Sequence, residues 1–251
     1  MQKSVMKIFI PPEDISRKKA IRLSEDKAHY LLSVLKKKVG DSISVIDGRG
    51  RCYEATISYV NKRDVFIDIA SEVFLDSESF LNIILCQGIL KGEKMDIVVQ
   101  KATELGIKEI VPLYTERCVV RKTSKVKRWQ KIAEEASEQC GRAYIPKICE
   151  PIDIKSFLLS LNGGFNGFVF WEEGGLPLKD AFAKVIDLIR LPIYLIIGPE
   201  GGLTYDEVRL AEEKRFIRTT LGKRILRAET AAIVSIALIQ FLGEEKYEKS
   251  S

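Results

Sequence analysis

Two stretches of this chain have the residue types and spacing for chemistry. The first is Leu195-Ile196-Ile197-Gly198-Pro199-Glu200-Gly201-Gly202, an apolar run opening into a loop with three glycines and one carboxylate. Glycines let backbone amides approach a ligand closely. The same glycines also suit a plain tight turn with positive φ, and both readings stand at this point. The loop matches neither G-x-x-x-x-G-K-[ST] nor G-x-G-x-x-G, so it is neither a P-loop nor a dinucleotide fingerprint. The second stretch is Leu221-Gly222-Lys223-Arg224-Ile225-Leu226-Arg227-Ala228-Glu229-Thr230-Ala231. Glu229 and Thr230 suit the start of a helix as caps as well as they suit catalysis. Arg227 beside them is harder to explain by packing.

Other chemistries are excluded by counting. One histidine, His29, excludes most His-based metal sites and argues against a Ser-His-Asp triad. Five cysteines, odd in number, widely spaced and without C-x-x-C, fit reduced thiols better than a disulfide framework or a zinc cluster. No metal is expected. Pro11-Pro12 precede any long apolar run, which argues against a signal peptide. The longest apolar segment, Ala231 to Leu242, is broken by Ser235 and Gln240 and falls short of the ~20 residues a membrane span needs. The expectation is a soluble cytoplasmic protein with no membrane partner.

The formal charge of +5 conceals an uneven distribution. Residues 17–38 carry eight basic side chains against Glu25 and Asp26; residues 117–131 carry seven and residues 214–227 six, both without an acid. The rest of the chain is net acidic. Three basic clusters on an acidic background point to a polyanionic partner, although Lys-rich helices also serve as plain solvated faces.

The elements that must position these residues follow two regimes. From Met6 to about Phe74 the pattern is mostly strands: Lys7–Ile10, Ser42–Asp47, Arg51–Val60 and Val65–Ala70, with a helix from the Ser24 cap to Gly40. Such closely spaced strands pair most easily as a small antiparallel β-barrel or open sheet. Asp76 to Ser79 is a polar break, placing one domain over 1–75 and another over 76–251. The second alternates strands (Leu81–Cys86, Glu109–Leu113, Gly167–Trp171, Ile193–Ile197, Phe216–Leu221) with helices (Glu93–Leu105, Ser124–Gln139, Lys179–Ile189, Tyr205–Lys214, Glu229–Leu242). Thr204 and Glu207 form a capping box. This alternation predicts an α/β domain with a mainly parallel, covered sheet.

The two motifs, in this order, resemble those of the bacterial 16S ribosomal RNA uridine-N3 methyltransferases, a family of the SPOUT class. Further matching segments are Lys91-Gly92-x-Lys94-Met95-Asp96, Gln100-Lys101-x-Thr103-Glu104-Leu105-Gly106, Glu116-Arg117, Glu135-Ala136-x-Glu138-Gln139-Cys140-x-Arg142 and Pro146. His29 to Asp41 is similar to the family's small RNA-binding domain. Lys7 and Lys36 stand where the pattern has Arg, keeping the charge but losing the guanidinium fork.

The resemblance implies a trefoil-knotted α/β methyltransferase domain preceded by a small PUA-like β-barrel, and a homodimer acting on 16S rRNA in the small ribosomal subunit. It implies S-adenosylmethionine as cofactor, held by Trp171 and Glu172, by Gly198, Pro199, Glu200, Gly201 and Gly202, and by Leu221, Gly222, Ile225, Leu226, Arg227, Thr230 and Ala231. Catalytic candidates are Arg227, Glu229, Glu200, Arg142 and Arg117: a carboxylate to accept the uridine N3 proton, or a guanidinium to stabilise the resulting anion. Arg17, Lys18, Lys19, Lys36, Lys37, Lys94, Arg121 and Lys122 are the candidates for binding RNA. Rival readings are another SPOUT enzyme with a different base, ribose or tRNA target, a non-enzymatic assembly factor, and a nucleotide-dependent oxidoreductase. The missing G-x-G-x-x-G weakens the last.

Overall fold

A computed structural model describes residues 7–16, 20–61, 64–75 and 78–248. The chain forms two compact units, one comprising residues 1–78 and 134–145 and the other 79–133 and 146–251. That residues 134–145 join the first unit has no signal in the sequence, which reads as one domain over 1–75 and another over 76–251.

The first unit is built on five strands, β1 (Lys7–Phe9), β2 (Ile21–Arg22), β3 (Ser42–Ile46), β4 (Cys52–Val60) and β5 (Val65–Val73), in the order β1-β3-β4-β5-β2. β1 pairs with β3 in parallel and the remaining pairs are antiparallel. The two-residue period turns Ile43, Val45, Ala55, Ile57, Val65 and Ile67 into one core. Helices α1 (Pro12–Ile15) and α2 (Glu25–His29) accompany the sheet. α2 continues as a π-helical turn over Tyr30–Val34, which adds Leu31 to that core. The expected helix through Gly40 stops about a turn and a half early. Lys36 adopts φ +53° and the Lys37 amide donates to the Leu31 carbonyl at 3.0 Å, closing the turn.

The returning segment 134–145 is bonded into this unit largely through charged groups. Glu78 Oε1 accepts from the Ala143 and Tyr144 amides, each at 3.1 Å, and its Oε2 pairs with Arg142 Nη2 at 2.8 Å. Glu138 accepts from the Phe9 amide at 2.7 Å, while Lys27 Nζ lies 3.1 Å from Glu134 and 3.4 Å from Glu138. Burial pushes the Glu138 carboxyl above its ordinary pKa despite the opposing pull of Lys27 and the Phe9 amide. Lys7 is buried and donates to the Gly141 carbonyl, so it serves here as a tether rather than an exposed RNA contact. Ala143 packs with Ile46 and Cys52.

The second unit holds β6 (Ile83–Gly88), β7 (Glu109–Tyr114), β8 (Lys147–Ile148), β9 (Ile152–Asp153), β10 (Asn166–Phe170), β11 (Leu176–Pro177), β12 (Ile193–Ile197) and β13 (Ile217–Thr220). They form a parallel sheet in the order β11-β13-β10-β12-β6-β7-β8, with β9 also on β7. Its helices are α3 (Lys94–Glu104), α4 (Val126–Cys140, whose last turns belong to the first unit), α5 (Ile154–Ser160), α6 (Leu178–Phe182), α7 (Tyr205–Glu213) and α8 (Ala228–Glu248). α3 packs on α8, and α5 on α7. Ile84, Cys86, Val111, Val169 and Ile196 on the sheet meet Phe157, Leu158, Val208 and Ala211 from α5 and α7. Every residue of β6 and β10 is buried, the polar Gln87 and Asn166 included, whose side-chain amides donate to main-chain carbonyls.

The helix expected over 179–189 is only Leu178–Phe182. The Asn166 side chain explains the stop: it donates to the Ile186 carbonyl at 2.8 Å and accepts from the Ile186 amide at 3.0 Å, taking both groups out of any helical ladder. α5, capped by Asp153, was not foreseen.

Candidate active site

β13, β10 and β12 are parallel neighbours, so their carboxyl ends open side by side, where ligands bind in sheets of this type. The chain leaves β10 through Trp171 and Glu172, β12 through Gly198 to Gly202, and β13 through Leu221 to Arg227. These three loops enclose a cleft of about 250 Å³. Phe170, Ile197, Thr219 and Thr220, at the strand ends, form part of its wall. Sequence reasoning missed Ile197, Thr219 and Thr220 because their place depends on which strands are neighbours.

Most of the expected cofactor residues come together here. Trp171, Glu172, Gly198, Pro199, Glu200, Gly202, Leu221, Gly222, Ile225, Leu226, Arg227 and Ala231 all line the cleft; Gly201 and Thr230 do not. Lys223, Arg224, Ala228 and Glu229 complete it, together with Lys94. Lys94, a candidate for binding RNA, has its ammonium 3.3 Å from Glu200. Glu200 also accepts from the Lys91 amide at 3.1 Å, so the segment leading into α3 is a fourth contributor. Burial alone would raise the Glu200 carboxyl; its own amide, the Lys91 amide and the Lys94 ammonium outweigh that and hold it below its ordinary pKa.

The loop glycines are required by close approach. A Cβ on Gly198 would lie 2.9 Å from the Gly202 carbonyl carbon and 3.0 Å from the Leu203 nitrogen. Gly202 has φ +71°, and the Glu172 carboxylate occupies the space a side chain would need. The Gly198 carbonyl accepts from the buried Gln87 side chain at 3.2 Å, which ties the loop to the end of β6.

Arg227 is exposed at the rim of the cleft, one residue before α8, and Glu229 is half-buried in the first turn. Glu229 Oε2 is buried without a hydrogen-bond partner, as is Trp171 Nε1. Buried polar atoms that find no partner in the protein are expected where a ligand supplies one. Arg117 lies on a neighbouring loop, its Nη1 3.2 Å from the Gly201 carbonyl. Arg142 belongs to the first unit, where its side chain, 4% exposed, is paired to Glu78.

The RNA candidates divide. Arg17, Lys18 and Lys19 lie outside the described residues. Lys36 and Lys122 are exposed. Lys37 donates to the Ser42 carbonyl at 3.0 Å and Arg121 to the Glu116 carbonyl at 2.9 Å, so both are partly committed to backbone. Trp129 is core, its indole N–H on Asp96 at 3.0 Å. All five cysteines are free thiols. Among the described residues no helix is long and apolar enough to cross a membrane.

Comparison with known proteins places this geometry in a family. A family model described as an RNA methyltransferase domain matches residues 77–240, and one described as an RNA methyltransferase PUA domain matches residues 23–70. The ribosomal RNA small subunit methyltransferase E of Buchnera aphidicola (subsp. Acyrthosiphon pisum) is 33% identical over 243 residues, covering 95% of this chain and 94% of the relative. The crystal structure of the ribosomal RNA small subunit methyltransferase E of Neisseria gonorrhoeae, bound to S-adenosylmethionine, superposes with a TM-score of 0.85 at 34% identity, covering 95% of this chain and 98% of that one. A Legionella pneumophila protein in complex with the same cofactor gives 0.82 at 32% identity with the same coverage. The fold is that of the knotted SPOUT class preceded by a PUA-like sheet, and the chain belongs to the RNA methyltransferase family that includes the ribosomal RNA small subunit methyltransferases E.

Proposed function

We propose that this protein transfers the methyl group of S-adenosylmethionine to N3 of a uridine in 16S rRNA, within the small ribosomal subunit and in the cytoplasm. The observation that carries the reading is the cleft itself: three loops of backbone amides and carbonyls closing on apolar strand ends, with the unpartnered Glu229 oxygen beside it. The residues fit the cofactor. Gly198 to Gly202 and Leu221 to Leu226 offer main-chain groups, and Phe170 and Ile197 offer apolar wall. The cofactor supplies a methyl group already activated on a sulfonium, which leaves positioning and proton removal to the protein.

Uridine N3 holds its proton at neutral pH and is a poor nucleophile until it is removed. Glu200 is badly suited to accept that proton, because a depressed pKa and three hydrogen-bond donors stabilise its ionised form. Glu229 has an oxygen without a donor and is the better acceptor; Arg227 at the rim stabilises the uridine anion. The exposed bases Lys36, Lys122 and Arg224 draw in the phosphate backbone, so binding weakens steeply with salt.

A homodimer is part of the same reading. α8 is apolar on nearly all sides, as buried helices are, yet Leu238 and Phe241 are exposed on it. Ile225 on the cofactor loop is 82% exposed, and Leu238 stands in a shallow groove with Leu221 and Gly222. A second copy covering these residues would border the cleft. Leu238→Asp with Phe241→Asp is expected to give a monomer by sedimentation; an unchanged mass would remove this face as the interface.

The decisive assay incubates unmethylated small subunits with labelled cofactor and maps the modified nucleotide. Label at uridine N3 is expected. Label on ribose or tRNA would overturn the substrate, and absence of cofactor binding by calorimetry would leave only an RNA-binding role.

A further inference from the structure

Glu207 does more than its place in the capping box requires. A capping box needs one carboxylate oxygen on the N-cap amide, and Glu207 Oε2 accepts from Thr204 N at 2.9 Å. The side chain is nevertheless almost wholly buried, at 2% exposure, where a carboxylate must fill its remaining acceptor sites. Its other oxygen reaches across 91 positions of sequence to accept from the Glu116 amide at 2.8 Å.

Glu116 and Arg117 are the middle residues of a tight turn closed by the Cys118 amide on the Thr115 carbonyl at 3.1 Å. Fixing the Glu116 amide fixes the orientation of that turn and hence the direction in which Arg117 leaves it. Arg117 then reaches the Gly201 carbonyl on the cofactor loop. A single buried carboxylate therefore holds both the exit of the Gly198–Gly202 loop and the turn that presents a guanidinium to it.

We infer that Glu207 is a positioning residue for the methyl-transfer site, acting through Arg117; its kinetic consequence rests on the function proposed above. Glu207→Gln keeps the volume and, with its one oxygen retained on the Thr204 amide as a capping box with Gln allows, turns an amino group toward the Glu116 amide, so the Glu116–Arg117 turn is released. With a charge-assisted hydrogen bond lost in a buried place, kcat/KM on small subunits is expected to fall about tenfold or more.

The test compares wild type, Glu207→Gln, Arg117→Ala, the double variant, and Val208→Ala, which destabilises the same helix while leaving Glu207 in place. Glu207→Gln should add less than a further twofold loss to Arg117→Ala, and amide exchange at Glu116 and Arg117 should quicken in Glu207→Gln but not in Val208→Ala. Losses that multiply in the double variant would overturn the inference. So would an Arg117→Ala enzyme with full turnover, or a Val208→Ala enzyme of matched Tm that loses as much activity. The exchange measurement needs no turnover. If the wild type fails to methylate, only the proposed function falls; unchanged exchange at Glu116 in Glu207→Gln would sink the positioning role by itself.

Discussion

Gly198→Ala puts a methyl group where three main-chain atoms already stand, at 2.9, 3.0 and 3.2 Å. Ordinary contacts begin near 3.4 Å, so the Gly198–Leu203 turn must open by about half an ångström. None of the obstructing atoms belongs to a side chain that could swing away. The hydrogen bond from Gln87 to the Gly198 carbonyl, already long at 3.2 Å, would be stretched or lost. Overpacking of this kind costs about 1–3 kcal/mol, with ~1 kcal/mol more for the hydrogen bond. At this chain length each kcal/mol lowers Tm by about 2–4 °C. The displacement falls on amides and carbonyls that line the cofactor cleft, where misplacements approaching 1 Å can cost ~100-fold, so cofactor affinity should drop by about ten- to a hundredfold. Calorimetry with S-adenosylmethionine gives the affinity and a thermal melt the stability. Gly164→Ala is the control: its methyl group meets only the Leu191 side chain, at 3.1 Å, outside the cleft. A Gly198→Ala protein that melts lower but binds within twofold of wild type would refute the claim that this turn is the cofactor cradle.

Three other outcomes follow from the same geometry. Glu229→Gln should slow single-turnover methylation by about 100-fold or more while leaving cofactor affinity within a few-fold, the signature of a lost proton acceptor. Arg142→Ala should destabilise the protein by about 3 kcal/mol in a denaturant melt, because it takes the countercharge from the largely buried Glu78 carboxylate, yet leave cofactor affinity of the folded protein unchanged. The Glu200 carboxyl is held below its ordinary 4.5, so its stabilisation of the loop is fully present above that value and is lost as pH falls through the lower folded one. Cofactor affinity measured by titration should therefore show an acid limb below about pH 4.5 that is weaker in Glu200→Gln.

The parts of the fold that could be read in advance are those whose local signal matches their tertiary fate. β12 was placed at its observed ends because a fully buried parallel strand is an unbroken apolar run bounded by breakers. The capping box at Thr204 and Glu207 is a local pattern and was equally legible. The π-turn at Tyr30–Val34 was not, since residues 31–39 offer apolar side chains enough for a longer helix; Val34 and Val39 are in fact exposed. The α6 helix ended early for a reason found 20 residues away, at Asn166. At the site, the glycine loop and the Arg227–Glu229 segment announced themselves by composition. The partners of Lys94 and Arg142 were not legible, because charge says nothing of which acid a base will meet: one ammonium meets Glu200 and one guanidinium meets Glu78, both far off in sequence. Glu207's reach to Glu116 has no local signature at all.

The return of residues 134–145 to the first unit has a consequence for synthesis. As the chain emerges from the ribosome, the strands β1 to β5 appear first, but Ile46 and Cys52 lack Ala143, and the Phe9 amide lacks Glu138, until about twice that length has been made. The amino-terminal unit is thus an interrupted one, completed only after part of its successor has been translated. A fragment ending at residue 75 is expected to expose apolar surface and unpaired amides, so the unit could not be moved between proteins as a single cassette.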